Sequence, residues 1–268
     1  MNRHDKPIGI FDSGVGGLTV FKALRKKLPK ENLVYFGDTA HLPYGTKSPQ
    51  AVTRFSGEIA DFLVSEEHIK LLVVACNTAS SHALTALQSR LDVPVVGVID
   101  PSAEAGLRAT RNKEVGVIGT EGTVASHAYR RALRRVDSSV KVHEVACPLF
   151  VPLVEEGRWN GSVVSEIARS YLRGLKATRM DTLILGCTHY PLLKTVLKRI
   201  VGDGVTLVDS SEAMSVKVQE VLEHLRLGRN KGKGTSRFYA SDAPDRFKRL
   251  ARRFLGVALK EVMIRKFT

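Results

Sequence analysis

The chain has 268 residues, 43% hydrophobic and 25% charged, an ordinary globular composition that fits one large or two modest α/β domains. Its aliphatic runs are far too short to span a bilayer, and the opening MNRHDKPIG lacks the apolar stretch of a secretory signal, so no membrane association and a cytoplasmic location are expected. The formal net charge is +14, of which residues 226–268 hold +10, with 13 Lys/Arg against Asp242, Asp245 and Glu261.

Along the chain, apolar runs of strand length alternate with stretches of helical period. Strands are predicted at 8–11, 33–36, 71–75, 95–98, 115–118, 140–145, 183–185 and 205–208. Helices are predicted at 18–28, 50–65, 79–91, 124–135, 163–175 and 211–227. One more follows Pro191, with Leu192, Leu193, Val196, Leu197, Ile200 and Val201 on one face; proline suits a first helical turn, where its missing N–H is not needed. Residues 238–240 and 257–264 read as further strand material that returns the tail to the first lobe. Alternation of this kind predicts parallel sheets flanked by helices.

A weak internal repeat divides the chain. I-G-I-F-D-S-G-V-G-G, with Asp12 and Ser13, parallels V-G-V-I-G-T-E-G-T-V, with Gly119 and Thr120. Cys76 follows Asp12 by 64 residues and Cys187 follows Gly119 by 68, each closing an apolar run. The expected fold is therefore α/β, with two similar lobes and the active site in the cleft between them, where open α/β sheets bind ligands. The expected boundaries are 1–98 plus 209–268 for the Cys76 lobe and 99–208 for the Cys187 lobe.

The cysteines carry the chemical signal. There are three, Cys76, Cys147 and Cys187, far apart and never in C-x-x-C spacing, so neither a disulfide framework nor a metal site is expected. Cys76 and Cys187 each stand at a strand end, before Asn77-Thr78 and Thr188-His189. Helix starts offer N–H donors and partial positive charge, which is expected to lower a thiol's pKa. Cys147 has no polar escort and reads as packing. A nucleophile needs one thiol and a base, whereas a matched pair suits removal of a proton from one face of a carbon and its return to the other. That is two-base racemisation or epimerisation. No cofactor is expected: Gly14-x-Gly16-Gly17 lacks the third glycine of a dinucleotide site, and no G-K-[ST] phosphate loop is present.

Together these residues resemble a known family. I-G-I-F-D-S-G-V-G-G-L-T, G-D-T-A-H-L-P-Y-G-T-K, V-V-A-C-N-T-A-S, G-V-I-G-T-E-G-T, C-P-L-F-V-P-L-V-E-E-G, L-I-L-G-C-T-H-Y-P and F-Y-A-S-D follow in order along nearly the whole length. The chain resembles the glutamate racemases of the cofactor-independent aspartate/glutamate racemase superfamily. The resemblance implies that Cys76 deprotonates D-glutamate and Cys187 deprotonates L-glutamate, with Asp12 and His189 assisting. It implies that Asp12 and Ser13 hold the substrate ammonium, that the product serves peptidoglycan synthesis, and that the protein is a homodimer. For the substrate carboxylates, hydroxyls, amides and backbone N–H groups are needed. Ser13, Asn77, Thr78, Thr188 and His189 stand near such helix starts, and Pro43, Tyr44, Gly45 and Thr46 form a turn that closes on the side-chain carboxylate. Glu155 is a weaker auxiliary, equally explained as half of a solvated helix-end pair with Glu156.

Three alternatives remain at this level. Aspartate racemase or maleate isomerase chemistry shares the two-cysteine plan. A cysteine amide hydrolase would use Cys187 and His189 and leave Cys76 dispensable. Nucleic-acid binding through the basic tail, which also carries Phe238, Tyr239, Phe247 and Phe254, is at most a secondary property, because no recognition motif accompanies it.

Overall fold

The computed structural model describes residues 2–267; Met1 and Thr268, the outer ends of the expected first lobe, lie outside the described residues. The first part of the chain runs β1 (Ile8–Asp12), α1 (Leu18–Lys27), β2 (Leu33–Gly37), α2 (Pro49–Ser65), β3 (Leu71–Val74), α3 (Asn77–His82), α4 (Leu84–Arg90), β4 (Val95–Gly97) and α5 (Ile99–Ala109). The second part runs β5 (Glu114–Gly119), α6 (Glu121–Ala125), α7 (Ala128–Val136), β6 (Lys141–Ala146), α8 (Phe150–Glu155), α9 (Ser162–Lys176), β7 (Thr182–Gly186), α10 (Lys194–Val201) and β8 (Thr206–Asp209). The tail adds α11 (Ser210–His224), β9 (Ser236–Ala240), α12 (Pro244–Leu255) and β10 (Met263–Ile264).

Two parallel sheets result, ordered β10-β9-β2-β1-β3-β4 and β6-β5-β7-β8. The order β2-β1-β3-β4 and the order β6-β5-β7-β8 are the same plan, which gives the sequence repeat its physical meaning. In each half the chain order reverses beside the first strand, between β1 and β3 and between β5 and β7. At such a switch point neighbouring crossovers leave toward opposite faces and open a crevice at the carboxyl ends of the strands. Asp12 and Cys76 stand at one switch point, Gly119 and Cys187 at the other.

The strands read as unbroken apolar runs because helices cover both faces: β1, β2, β3 and β7 are buried at every position. No helix among the described residues is long and apolar enough to cross a membrane.

Several local expectations change. The predicted helix at 79–91 is two helices, α3 and α4, which meet at Ala83. The one at 124–135 is broken at His127, which adopts a left-handed φ of 51° before α7. Helices α5 and α8 carry Pro101 and Pro152 at their third residue, within the first turn where the backbone N–H has no partner to lose. The expected strand at 257–264 contracts to Met263–Ile264. The tail aromatics are core: Phe238, Phe247 and Phe254 are buried, and the Tyr239 hydroxyl donates to Glu67. They form no exposed stacking platform for bases.

Candidate active site

On the first lobe, β1 delivers Asp12 and the glycine loop 13–17 to the strand ends. The Gly14 N–H donates to Asp12 Oδ2 at 3.0 Å. A Cβ at Gly17 would stand 2.5 Å from Asp12 Cβ and 2.9 Å from the Tyr35 hydroxyl oxygen. At Gly16 it would stand 2.5 Å from His189 Cε1 and closer still to Thr188 Oγ1. Only glycine permits this approach of the two lobes. Next to the loop, Cys76 caps α3, its sulfur accepting from the Ala79 N–H at 3.5 Å and lying 3.8 Å from Ser13 Oγ.

The expectation of a lowered Cys76 pKa is overturned. Burial pushes the thiol up to about 12 and the Asp12 carboxylate adds to this, against smaller opposing contributions from the Ala79 N–H and Ser13. In a closed cleft, loss of solvation outweighs the helix start. Asp12 is itself raised by burial, tempered by His189, the N–H groups of Gly17 and Gly14, and the Thr188 hydroxyl.

On the second lobe, β7 ends at Gly186, where a Cβ would stand 2.8 Å from the Ile118 carbonyl oxygen and 2.9 Å from Tyr129 Cε2. Cys187, Thr188 and His189 follow, leading into a 3-10 turn at Tyr190–Leu193 that contains Pro191. His189 Nδ1 lies 3.9 Å from Cys187 Sγ and its Nε2 lies 3.2 Å from Glu155 Oε1. Burial works against charge on His189, but its contacts with Cys187 and Glu155 outweigh it and hold the imidazole up to about 10. Glu155 is only 6% exposed, so it is no solvated helix-end residue. Arg246 lies 3.3 Å from its Oε2, and Arg253 donates to its carbonyl oxygen at 2.8 Å.

Polar contacts join the lobes across the seam. The Thr188 hydroxyl donates to Asp12 Oδ1 at 3.3 Å. Thr78 Oγ1 lies 2.8 Å from Thr120 Oγ1 and 3.2 Å from Thr123 Oγ1. The Tyr129 hydroxyl donates to Asn77 Oδ1 at 2.6 Å, while the buried Asn77 Nδ2 has no acceptor among the described residues. Such a donor calls for a partner, since leaving it unsatisfied costs about 1–3 kcal/mol.

Thus Cys76, Asp12, Ser13, Thr188, His189 and Cys187 fall in one contact chain, with Asn77 and Thr78 at its edge. The turn 43–46 divides. Gly45 packs on Thr120, whose Cβ would be 2.6 Å from an added methyl. The Tyr44 hydroxyl donates to Asp38 Oδ2 at 2.6 Å, and Asp38 also accepts from Ser241 at 2.7 Å. Pro43 and Thr46 are exposed, and Thr46 lines an outer cavity of about 520 Å³ with His82 and Gly122. Sequence reasoning missed Thr120, Thr123, Tyr129 and Arg246. The repeat held a signal for Thr120, which takes the place of Ser13 in the second half.

Both sulfurs are enclosed, Cys76 at 6% and Cys187 at 5% exposure, and Cys187 contributes to raising Cys76. Cys147 is fully buried, its sulfur 3.8 Å from the Val145 carbonyl oxygen. The arrangement supplies two buried thiols, each with its own polar neighbours, joined by one chain of contacts across the two sheets. That is the equipment for paired acid/base transfer.

The sequence profile of the Asp/Glu/hydantoin racemase family matches residues 16–218. The chain is 55% identical to glutamate racemase of Geobacter metallireducens, over 96% of this chain and 95% of the relative. It is 46% identical to that of Syntrophus aciditrophicus, over 96% and 95%. Among solved structures, a glutamate racemase isoform from Bacillus anthracis superposes with a TM-score of 0.93 at 38% identity, covering 98% of this chain and 97% of the other. A Francisella tularensis glutamate racemase in complex with D-glutamate gives 0.92 at 36% identity, covering 98% of each chain.

Proposed function

The chain belongs to the aspartate/glutamate/hydantoin racemase family, and from that premise we propose that it interconverts L- and D-glutamate by cofactor-independent, two-base proton transfer at Cα. The observation that carries the reading is the matched pair Cys76 and Cys187, at equivalent switch points of two sheets of one plan, each with its own escort. Relatives at 46–55% identity carry the glutamate racemase name, and the product D-glutamate feeds peptidoglycan synthesis.

The Cα proton of an amino acid without an imine is weakly acidic. Its removal requires exclusion of water and oriented donors around the developing charge. Cys76 holds its proton, and His189 carries its own 3.9 Å from the Cys187 sulfur. This state accepts L-glutamate: Cys187 takes the Cα proton and Cys76 returns one to the opposite face. The reverse assignment of protons serves D-glutamate. Asp12 and Ser13 hold the ammonium, and the Asn77 amide, Thr78 and Thr188 receive carboxylate. The lobes, read as 1–98 plus 209–268 and 99–208, open to admit substrate and close for chemistry. The protein acts in the cytoplasm as a homodimer.

The test is to add L- or D-glutamate without cofactor and follow optical rotation. The expected result is full racemisation from either side, abolished in both directions by Cys76→Ala and by Cys187→Ala. Retention of both directions by either variant would falsify the two-base reading, whereas glutamate left unracemised by the parent protein would favour the hydrolase alternative.

A further inference from the structure

The basic tail, which the sequence leaves without a task, reaches the site. Glu155 divides its two carboxylate oxygens: Oε1 lies 3.2 Å from His189 Nε2, and Oε2 lies 3.3 Å from Arg246 Nη2. The same helix α12 sends Arg253 to the Glu155 carbonyl oxygen at 2.8 Å and sets Phe254 edge-on to the His189 ring, centroids 5.6 Å apart. Glu155 and His189 are 6% and 2% exposed, whereas the Arg246 side chain is half-exposed. A cavity of about 110 Å³ adjoins the pair, lined in part by Glu155, Asp242, Arg246 and Phe247.

We propose that Arg246 is a positioning residue for the Cys187 half of the reaction, holding the Glu155 carboxylate so that its other oxygen orients His189 against Cys187. The proposal rests on the two-base reading above. A carboxylate buried beside a single imidazole can turn; a guanidinium on the far oxygen holds it in place and leaves one oxygen committed to the ring. The charged or titratable groups around this line are Cys187 and Asp12 on the His189 side, with the neutral Thr188 hydroxyl beside them, and Arg246 and Arg253 on the Glu155 side. Neither Cys76 nor Ser13 contacts Glu155 or Arg246 through a hydrogen bond or ion pair among the described residues.

A racemase has an equilibrium constant of one, so a variant must change kcat/KM equally in both directions. Isotope effects escape that constraint. When the Cys187 step slows, abstraction from Cα-deuterated L-glutamate becomes more rate-limiting and its isotope effect on kcat/KM rises. Abstraction from Cα-deuterated D-glutamate, performed by Cys76, becomes less limiting and its isotope effect falls.

The test compares Arg246→Gln, Arg246→Lys and Arg249→Gln, the last removing the same charge from an exposed position of α12. Arg246→Gln is expected to lower kcat/KM roughly tenfold, with the L effect up and the D effect down. Arg246→Lys recovers part of both changes, and Arg249→Gln matches the parent protein. The proposal is overturned if the two isotope effects move together, if Arg249→Gln reproduces the change, or if Arg246→Gln leaves rate and isotope effects unaltered. Failure of the two-base reading shows separately, as racemisation that survives loss of either cysteine.

Discussion

Adding one methyl group at Gly16 is expected to slow catalysis about a hundredfold while leaving the protein folded. An alanine Cβ there would stand 2.5 Å from His189 Cε1 and nearer to Thr188 Oγ1, against the 3.4 Å where ordinary contact begins. The loop and the Thr188-His189 turn must therefore separate by about 0.9 Å or more. Both neighbours are buried and cannot swing into solvent. Overpacking of this kind costs about 1–3 kcal/mol, which at ~2–4 °C per kcal/mol for a chain of this size lowers Tm by roughly 2–12 °C. The rate suffers more, because His189 and the Thr188–Asp12 bond lie on the displaced segment and a shift near 1 Å costs about 10²-fold. The assay is circular dichroism of glutamate racemisation beside a thermal melt of the same sample. Gly174→Ala is the control: nothing among the described residues lies within 4 Å of that added methyl, and an exposed helical glycine exchanged for alanine gains about 1 kcal/mol. A Gly16→Ala protein with parental kcat would refute the close approach of the lobes, and one that fails to fold would show that the loop supports stability rather than alignment.

Asn77→Ala removes the unsatisfied Nδ2 donor and leaves the Tyr129 hydroxyl its longer contact with Ser210 at 3.5 Å; KM for glutamate should rise about tenfold with stability down by ~1 kcal/mol, and an unchanged KM counts against the carboxylate role. His189, raised from 6.5 to about 10, binds its proton more tightly folded than unfolded. The stability this provides is complete below pH 6.5 and is lost as pH rises toward 10. Urea midpoints should therefore fall between pH 6.5 and 10 by a few kcal/mol equivalent, and His189→Asn should flatten that slope; identical slopes would show that the histidine is neutral in the fold. Glu155→Gln removes one of the groups holding His189 up, so the high-pH limb of kcat/KM should move toward neutrality, and a limb that stays in place argues that Cys187 alone sets the histidine.

The strands were legible because their signal is local. Each apolar run at 8–11, 33–36, 71–75, 183–185 and 205–208 overlaps a strand of the structure, and the repeat of Asp12-Ser13 in Gly119-Thr120 foretold two sheets of one plan. Helices α5 and α8 were hidden by prolines that sit harmlessly in a first turn, and the breaks at Ala83 and His127 leave no mark in an amphipathic pattern. Partners across the seam escaped for a different reason. Thr120 with Thr78, Tyr129 with Asn77 and Arg246 with Glu155 are 42, 52 and 91 residues apart, and periodicity reports a residue's own face, never what meets it. The Cys76 pKa ran opposite to expectation because a sequence displays a helix start but not the burial that overrides it.

The most direct measurement follows the fate of the Cα proton when protiated L-glutamate is incubated in D₂O and stopped within the first few per cent of conversion. Two thiols on opposite faces predict D-glutamate that carries deuterium at Cα and recovered L-glutamate that is still protiated, with the mirror result from D-glutamate. Deuterium washing into unconverted substrate, or protium carried into product, would mean that one base serves both faces, and the pairing of Cys76 with Cys187 would then be wrong.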